Sequence, residues 1–426
     1  MDIKRLENIK NKWSLIILIP LLMAVIGSIL LAVVSVIPNS LLYDHAFSSA
    51  IQLCEDNVIR SGEGFVSPAG KLPYIPDNYT DTLIIESSYS LSSPSAALLN
   101  KVTDLNSNNQ AKLFMQMMSG EQVELQSYSR YWMGFRLITR PLLLVTAYLG
   151  IRMIFAGAYY MLLIFAALTI SRRNSTAAAL AFAASCLLME HYAVSASLQF
   201  SCCFLLTCIY IIILNYSGLE ISDRKTFALF CAFGAATQFF DFYTYPLISC
   251  IFPLAVLVDR SEEEKLAKNV ALLIVAWFGS YLAMWLVKLL FVTLFTSDNG
   301  FYDALQSVFF RFGIGDKRSD AVSYKSIDAL TSVWNRITRD VPASVHIGLL
   351  IVSAVSVSVY MLRSKDTRGK RKIVVLSGLG ILPLIWFAVA AQPTIIHTWF
   401  QYRLISATYF PVMLIVCRCF KLETIG

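Results

Sequence analysis

The sequence predicts an all-α polytopic membrane protein. It reads as a single membrane domain over residues 1–426, with about ten transmembrane helices and two long outer loops carrying short interfacial helices. Three observations carry this. Hydrophobic residues make up 57% of the chain and charged residues only 15%, where an average soluble chain has about 25% charged. The mean hydropathy is +0.62. The basic residues gather in short blocks between apolar runs, which is how topology is written in a membrane protein, so the net charge of +7 implies no nucleic-acid partner.

A helix needs about twenty apolar residues to cross the hydrocarbon core. Ten runs meet or approach that length: 14–36, 151–170, 175–190, 196–215, 226–240, 245–258, 269–295, 344–362, 373–391 and 403–419. The third, fifth and sixth are short. The first is too long for a signal-peptide core and lacks a small-residue cleavage site behind it, so it reads as a retained anchor.

Orientation follows from lysine and arginine. With the N-terminus inside, the blocks MDIKRLENIKNK, SRRN, Arg224-Lys225, DRSEEEKLAKN and RSKDTRGKRK and the tail from Arg418 all fall on the cytoplasmic side, beside span ends. The expectation is a multi-pass protein of the cell membrane with both termini cytoplasmic. Residues 37–135 then form a first outer loop and 296–343 a second. The first is rich in Pro, Gly, Ser and Asn but includes apolar stretches such as LIIE and AKLFMQMM. Its end, SRYWMGFRLITRPLLLVTAYLGIRMIF, reads as an amphipathic helix in the interface, broken near Pro141.

Nine cysteines are scattered without a ligand pattern. All but Cys54 fall in or beside apolar runs, where they act as small hydrophobes, so no disulfide framework is implied. The four histidines have no metal-motif spacing. No cofactor is expected, and the question of a divalent metal stays open.

The polar residues crowd the outer ends of the spans. Asp44 and His45 follow the first span in IPNSLLYDHAFSSA. On the same face come Arg130-Tyr131-Trp132, Glu190-His191, Gln199, FFDFYTYP with Asp241 and Tyr243, and HTWFQYR with His397 and Arg403. Each has an ordinary alternative. Asp44 can cap a short helix. Arg130, Arg136 and Arg140 can snorkel to lipid headgroups. Trp132, Trp399 and the tyrosines can form an aromatic belt, and Glu190-His191 can be a solvated turn. Lys288, near the outer end of its span, can snorkel. Asp241, between Phe240 and Phe242, is harder to dismiss, because an ionisable group at membrane depth is a functional candidate by default. Together the parts suit transfer of a sugar from a lipid phosphate: a carboxylate as general base, arginines for the phosphate, and aromatics for a sugar ring or an isoprenoid chain.

The layout resembles the polytopic lipid-phosphate-sugar-dependent glycosyltransferases of the GT-C superfamily. That family implies an acidic residue just after the first span, a long first outer loop with interfacial helices, and a second long outer loop between spans seven and eight. YDHAFSSA, residues 37–135 and residues 296–343 fill these places. The segments YSRYWMGF and HTWFQYRLIS are similar to those of bacterial membrane proteins near this superfamily. By the resemblance Asp44 takes the role of the base. The family's second acid is replaced by His45, and Glu55-Asp56 is a rival acidic pair.

The leading expectation is an inverting glycosyltransferase that moves a sugar from a polyprenyl-phosphate donor to a hydroxyl of a glycan or lipid-linked acceptor, among membrane lipids. Asp44 would be catalytic. Arg130 and Arg403 would stabilise charge on the leaving phosphate, and His45, Tyr131, Trp132, His191, Asp241, Tyr243 and His397 would line the substrate site. A polysaccharide polymerase or ligase on lipid-linked glycans is the enzymatic alternative. A transporter, flippase or membrane scaffold is the non-enzymatic one, although transporters place polar groups near the midplane and here the midspan is apolar.

Overall fold

The computed structural model describes residues 12–55, 59–61, 64–66, 77–104, 109–311 and 325–420. Asp56 and the block MDIKRLENIKN lie outside the described residues. After α1 (Leu15–Ser35) the chain builds a loop subdomain. It comprises α2 (Asn39–Glu55), a hairpin of β1 (Ile59–Ser61) and β2 (Gly64–Val66), α3 (Asn78–Tyr89), the short α4 (Ala96–Leu99), a hairpin of β3 (Lys101–Thr103) and β4 (Leu125–Ser127) with α5 (Gln110–Met118) between its strands, and α6 (Arg136–Leu142). There follow α7 (Tyr148–Arg173), α8 (Thr176–Leu187), α9 (His191–Ser195), α10 (Leu198–Ser217), α11 (Arg224–Phe240), α12 (Ile248–Arg260) and α13 (Leu266–Phe295). A second loop holds α14 (Gly300–Arg311) and α15 (Ser326–Asp340). Then come α16 (Ala343–Arg363), α17 (Thr367–Val389), α18 (Ala391–Ile396), and a last run of α19 (Thr398–Gln401), a 3-10 turn (Tyr402–Ile405) and α20 (Ser406–Cys419).

Seven helical stretches among the described residues are long and apolar enough to cross a membrane: α1, α7, α10, α13, α16, α17 and the run Thr398–Cys419. The other three expected spans are α8, α11 and α12, of 12, 17 and 13 residues. At 1.5 Å per residue the longest of these three reaches about 26 Å, short of a hydrocarbon core of about 30 Å. They are the runs whose sequences already read as short. The chain is thus an all-α, multi-pass membrane protein with two very small hairpins.

Exposure sorts the helices. α1 and α16 turn Leu18, Leu22, Ile29, Leu350, Ile351 and Val355 outward and bury only a narrow stripe. Such a surface is stable only against lipid. The run Thr398–Cys419 and α10 are mostly enclosed and form the centre. In α1 the buried stripe is Pro20, Ala24, Gly27 and Leu31, spaced to face α11 and α13. α11 and α13 pack so closely that a Cβ at Gly234 would land on the Trp277 carbonyl.

The loop subdomain is fastened to the membrane helices through helix ends. The first amide groups and last carbonyls of a helix have no partner within it, and here other segments supply them. Ser49 Oγ and Gln52 Oε1 on α2 accept the Tyr148 and Leu149 amides that open α7, at 2.8 and 3.0 Å. Arg140 donates to the carbonyls of Val34 and Ile37 behind α1, to those of Ser88 and Tyr89 behind α3, and to Asn39 Oδ1. These five bonds use its whole donor set. Arg136 donates to the carbonyls of Ala96, Ala97, Trp132 and Met133. Lys288 Nζ on α13 reaches the Leu98 carbonyl at 2.8 Å and lies 5.1 Å above the Trp132 ring. Snorkelling therefore describes none of these three cations, which are all fully buried. Helix-terminal carbonyls carry partial negative charge and take the place of water around them. The break expected near Pro141 is present: α6 ends there and α7 begins at Tyr148.

At the opposite end, ion pairs and hydrogen bonds tie α7, α12, α17 and α20 together. Asp259 at the end of α12 accepts from Arg418 of α20 and from Asn174 behind α7, both at 2.8 Å. Lys372 of α17 joins the Asp259 carbonyl at 2.9 Å and Glu262 at 3.1 Å.

Candidate functional site

The site grows around the first turn of α10. Ser197, the residue before that helix, makes no cap of its own. Asp81 of α3 provides the cap from 116 residues away: Oδ1 accepts from Ser197 Oγ and the Gln199 amide, and Oδ2 from the Leu198 amide, each at 3.1 Å. Tyr148 Oη adds a bond to Oδ2 at 2.9 Å. Burial pushes the Asp81 carboxyl up to about 6, against the Leu198 and Gln199 amides, the Tyr148 hydroxyl and the nearby Arg152, which pull it down. Asp81 stood in no sequence motif. Its one signal was a lone acid in NYTDTLIIE, ahead of an apolar run.

On the next residue of α10, Phe200, three segments converge. Tyr245 Oη donates to its carbonyl at 2.7 Å. The rings of Trp399 and Phe400 lie 5.6 Å from its ring, and the Arg403 guanidinium lies 4.5 Å above it. Arg403 Nη2 donates to Glu190 Oε2 at 2.7 Å, and Arg336 of α15 donates to Glu190 Oε1 at 2.9 Å. The Glu190-His191 turn is therefore no solvated loop at its first residue. Burial raises the Glu190 carboxyl, but Arg403 and Arg336 outweigh it and hold the group below the usual carboxylate range. Arg403 Nε and Nη1 are sealed from solvent and have no hydrogen-bond partner, as is Gln199 Oε1.

A second wall comes from the turn after α11. Asp241 holds Thr244 through its amide, at 3.0 Å, and its hydroxyl. Tyr131 packs on Phe242 and Tyr243, with ring centres 5.4 and 5.0 Å apart. Arg130 lies over the Tyr128 and Tyr131 rings. So the structure does bring RYWMGF to FFDFYTYP, and the Gly134 amide donates to the Phe239 carbonyl between them at 2.9 Å. Trp132 points the other way, fully enclosed, with its Nε1 on the Met284 carbonyl at 2.9 Å. Positive φ at a non-glycine residue is costly and clusters at functional sites. Among the described residues it occurs at Asn100, Met133, Glu190 and Tyr243, and the last three lie in or beside these two walls.

The remaining candidates stand apart. Asp44 is exposed on α2, whose packed face runs through Leu42, Ala46, Ser49 and Leu53. Its carboxylate makes no hydrogen bond or ion pair to another described residue, and none to the Arg403 cluster. His45 donates through Nδ1 to the Leu143 carbonyl at 2.8 Å. His191 Nδ1 meets Tyr160 Oη at 3.1 Å, and burial lowers its imidazole below the ordinary value. The His397 ring packs tilted against Phe400, with centres 5.2 Å apart, at the start of the last run. Among the described residues no group of three or more His, Cys, Asp or Glu could hold a metal ion.

Comparison with known proteins adds no relative. No family model, curated protein or solved structure matches this chain. Its chemistry has to be argued from the geometry alone. That geometry offers two guanidiniums against one carboxylate, a net positive charge in a water-poor setting, with two idle donors on the innermost arginine. Such a group binds an anion of oxygen atoms well, because the fork of a guanidinium matches two of them.

Proposed function

We propose that the chain is a membrane glycosyltransferase that uses a polyprenyl-phosphate sugar and holds the donor's phosphate on Arg403. The outer face of the cell membrane, with both termini cytoplasmic, is part of this proposal. It requires the short α8, α11 and α12 to cross together with the seven long stretches, since termini on one side need an even number of crossings. The single observation that carries it is the pair of unpartnered, buried donors on Arg403. A buried donor left unmade costs about 1–3 kcal/mol, so the arrangement persists where a ligand completes it. Aromatic rings at Phe200, Trp399 and Phe400 pack together beside Arg403 and can flank a sugar or an isoprenoid chain. In this reading Asp44 is the base. Asp81 and Asp241 are occupied as caps, whereas Asp44 is exposed and has its lone pairs open. The reading makes one demand in return: the substrate must bridge Asp44 and Arg403, which share no partner.

The test is binding in lipid nanodiscs, with polyprenyl phosphate compared with inorganic phosphate. Binding of polyprenyl phosphate that falls about tenfold or more in Arg403→Lys, where a forked contact becomes a point charge, supports the reading. Equal binding by the variant removes the phosphate from Arg403. Preference for inorganic phosphate removes the lipid-linked donor.

A further inference from the structure

The idle donors of Arg403 raise a question of access. Both atoms are closed to solvent, so no phosphate reaches them in the arrangement described, and some covering element has to move. The ion-pair chain indicates which. Its three side chains are ordered by depth: Arg336 is 15% exposed, Glu190 5% and Arg403 1%. The outermost member belongs to α15, in the second loop.

We propose that α15 is a gate over the Arg403 site, latched shut by the Arg336–Glu190 ion pair. The proposal rests on the phosphate reading above and adds how that site is reached. α15 lies across α17, α18 and α19 and the 3-10 turn that carries Arg403. Besides the ion pair, other polar contacts hold it, among them His346 Nε2 on the Ile337 carbonyl at 3.3 Å and Arg336 on Tyr402 Oη at 3.4 Å. Ser326 Oγ donates to the Ala388 carbonyl at 2.7 Å, Ser332 Oγ meets Thr398 Oγ1 at 2.9 Å, and Arg336 lies 4.3 Å over the Tyr402 ring. Its apolar face is the stripe Ala329, Leu330, Val333 and Ile337, while Ile327 faces outward. A helix with so small a packed face opens at low cost compared with the bundle beneath it.

Glu190 is suited to the latch. Its backbone sits at φ +48°, a conformation a glutamate holds only under constraint, and its two oxygens are divided between the two arginines. Breaking the outer bond frees α15. The inner bond can stay on one Nη2 hydrogen while the other Nη2 hydrogen and the idle donor beside it, Nε or Nη1, take two oxygens of the phosphate. Glu190 therefore orients Arg403 in both states and holds the gate in only one.

A covalent lock tests this. Ser332→Cys with Thr398→Cys places two thiols where the hydroxyls now touch, and each single variant controls for the native cysteines. Oxidation of the double variant should cut polyprenyl-phosphate binding about tenfold or more, and reduction should restore it. Equal binding by the oxidised and reduced forms overturns the gate. Hydrogen exchange gives an arm independent of any ligand. Arg336→Gln should speed exchange of the α15 amides about tenfold and leave α10 unchanged; unaltered exchange in α15 overturns the gate. If no form binds polyprenyl phosphate while the exchange result holds, the phosphate reading fails and the gate remains.

Discussion

Arg403 and Glu190, 213 positions apart, form a buried 2.7 Å ion pair, and the Arg403 guanidinium makes no other hydrogen bond to a described residue. The pair joins the turn after α8 to the start of the last run. Removing one partner of a buried pair costs about 3–5 kcal/mol, because the other charge is left alone. Glu190→Gln should therefore lower the thermal midpoint in detergent much more than Glu262→Gln, whose partners Arg368 and Lys372 hold an exposed carboxylate. A smaller effect at Glu190 than at Glu262 would remove the pair from the structural core.

Arg140 makes a distinct prediction, because its role is attachment. Its five donors hold the carbonyl ends of α1 and α3 to α6. Arg140→Met leaves those carbonyls buried and unpaired, each at a cost of about 1–3 kcal/mol. Limited proteolysis should then cut within residues 77–147 while the bundle stays intact. A variant as protease-resistant as the parent would show that packing alone fastens the subdomain.

The pH dependence of the loop subdomain follows from Glu86. Burial pushes its carboxyl up to about 7, although the Thr103 amide and hydroxyl, at 2.6 and 2.9 Å, favour the ionised form. A raised carboxyl makes its stabilising contribution in full below its unfolded value of 4.5 and loses it as pH rises through about 7. For this group alone the loss is roughly 3 kcal/mol. The midpoint should fall between pH 5 and pH 8, and Glu86→Gln should flatten the fall. A midpoint that rises over that range would reverse the sign and exclude Glu86 as its cause.

The base assignment can be separated from folding. Asp44→Asn should leave expression and melting unchanged, since the side chain is exposed, and should slow transfer roughly a hundredfold to ten-thousandfold. Asp81→Asn should instead lower the midpoint, because an amide nitrogen would face the donors that the carboxylate now accepts. Glu55→Gln and Asp56→Asn are the controls. Full transfer by the Asp44 variant together with loss in either control would move the base to the rival pair.

Topology is checked with single cysteines at two exposed positions, in a background that carries Cys54→Ser. A cysteine at Ser92 should react with an impermeant reagent in intact cells, and one at Thr367 should not. The reverse pattern would turn the whole site toward the cytoplasm.

The membrane class, the helical content and the approximate ends of seven spans were legible in the sequence by itself, because they depend on local runs of apolar residues whose length alone meets the needs of a bilayer. The crowding of polar residues at one end was legible too. What those residues do was decided by the tertiary structure. Arg140 and Lys288 read as snorkelling cations, yet they are enclosed by helix-end carbonyls contributed by segments remote in sequence. Asp81 carried no motif, and its importance appears only when α3 meets the first turn of α10. Arg336 was one arginine in a long loop until α15 brought it to Glu190. A charge buried in a low-dielectric interior needs partners with fixed geometry. Those partners are chosen by how helices pack across the chain, and the pattern along any one helix does not contain that information.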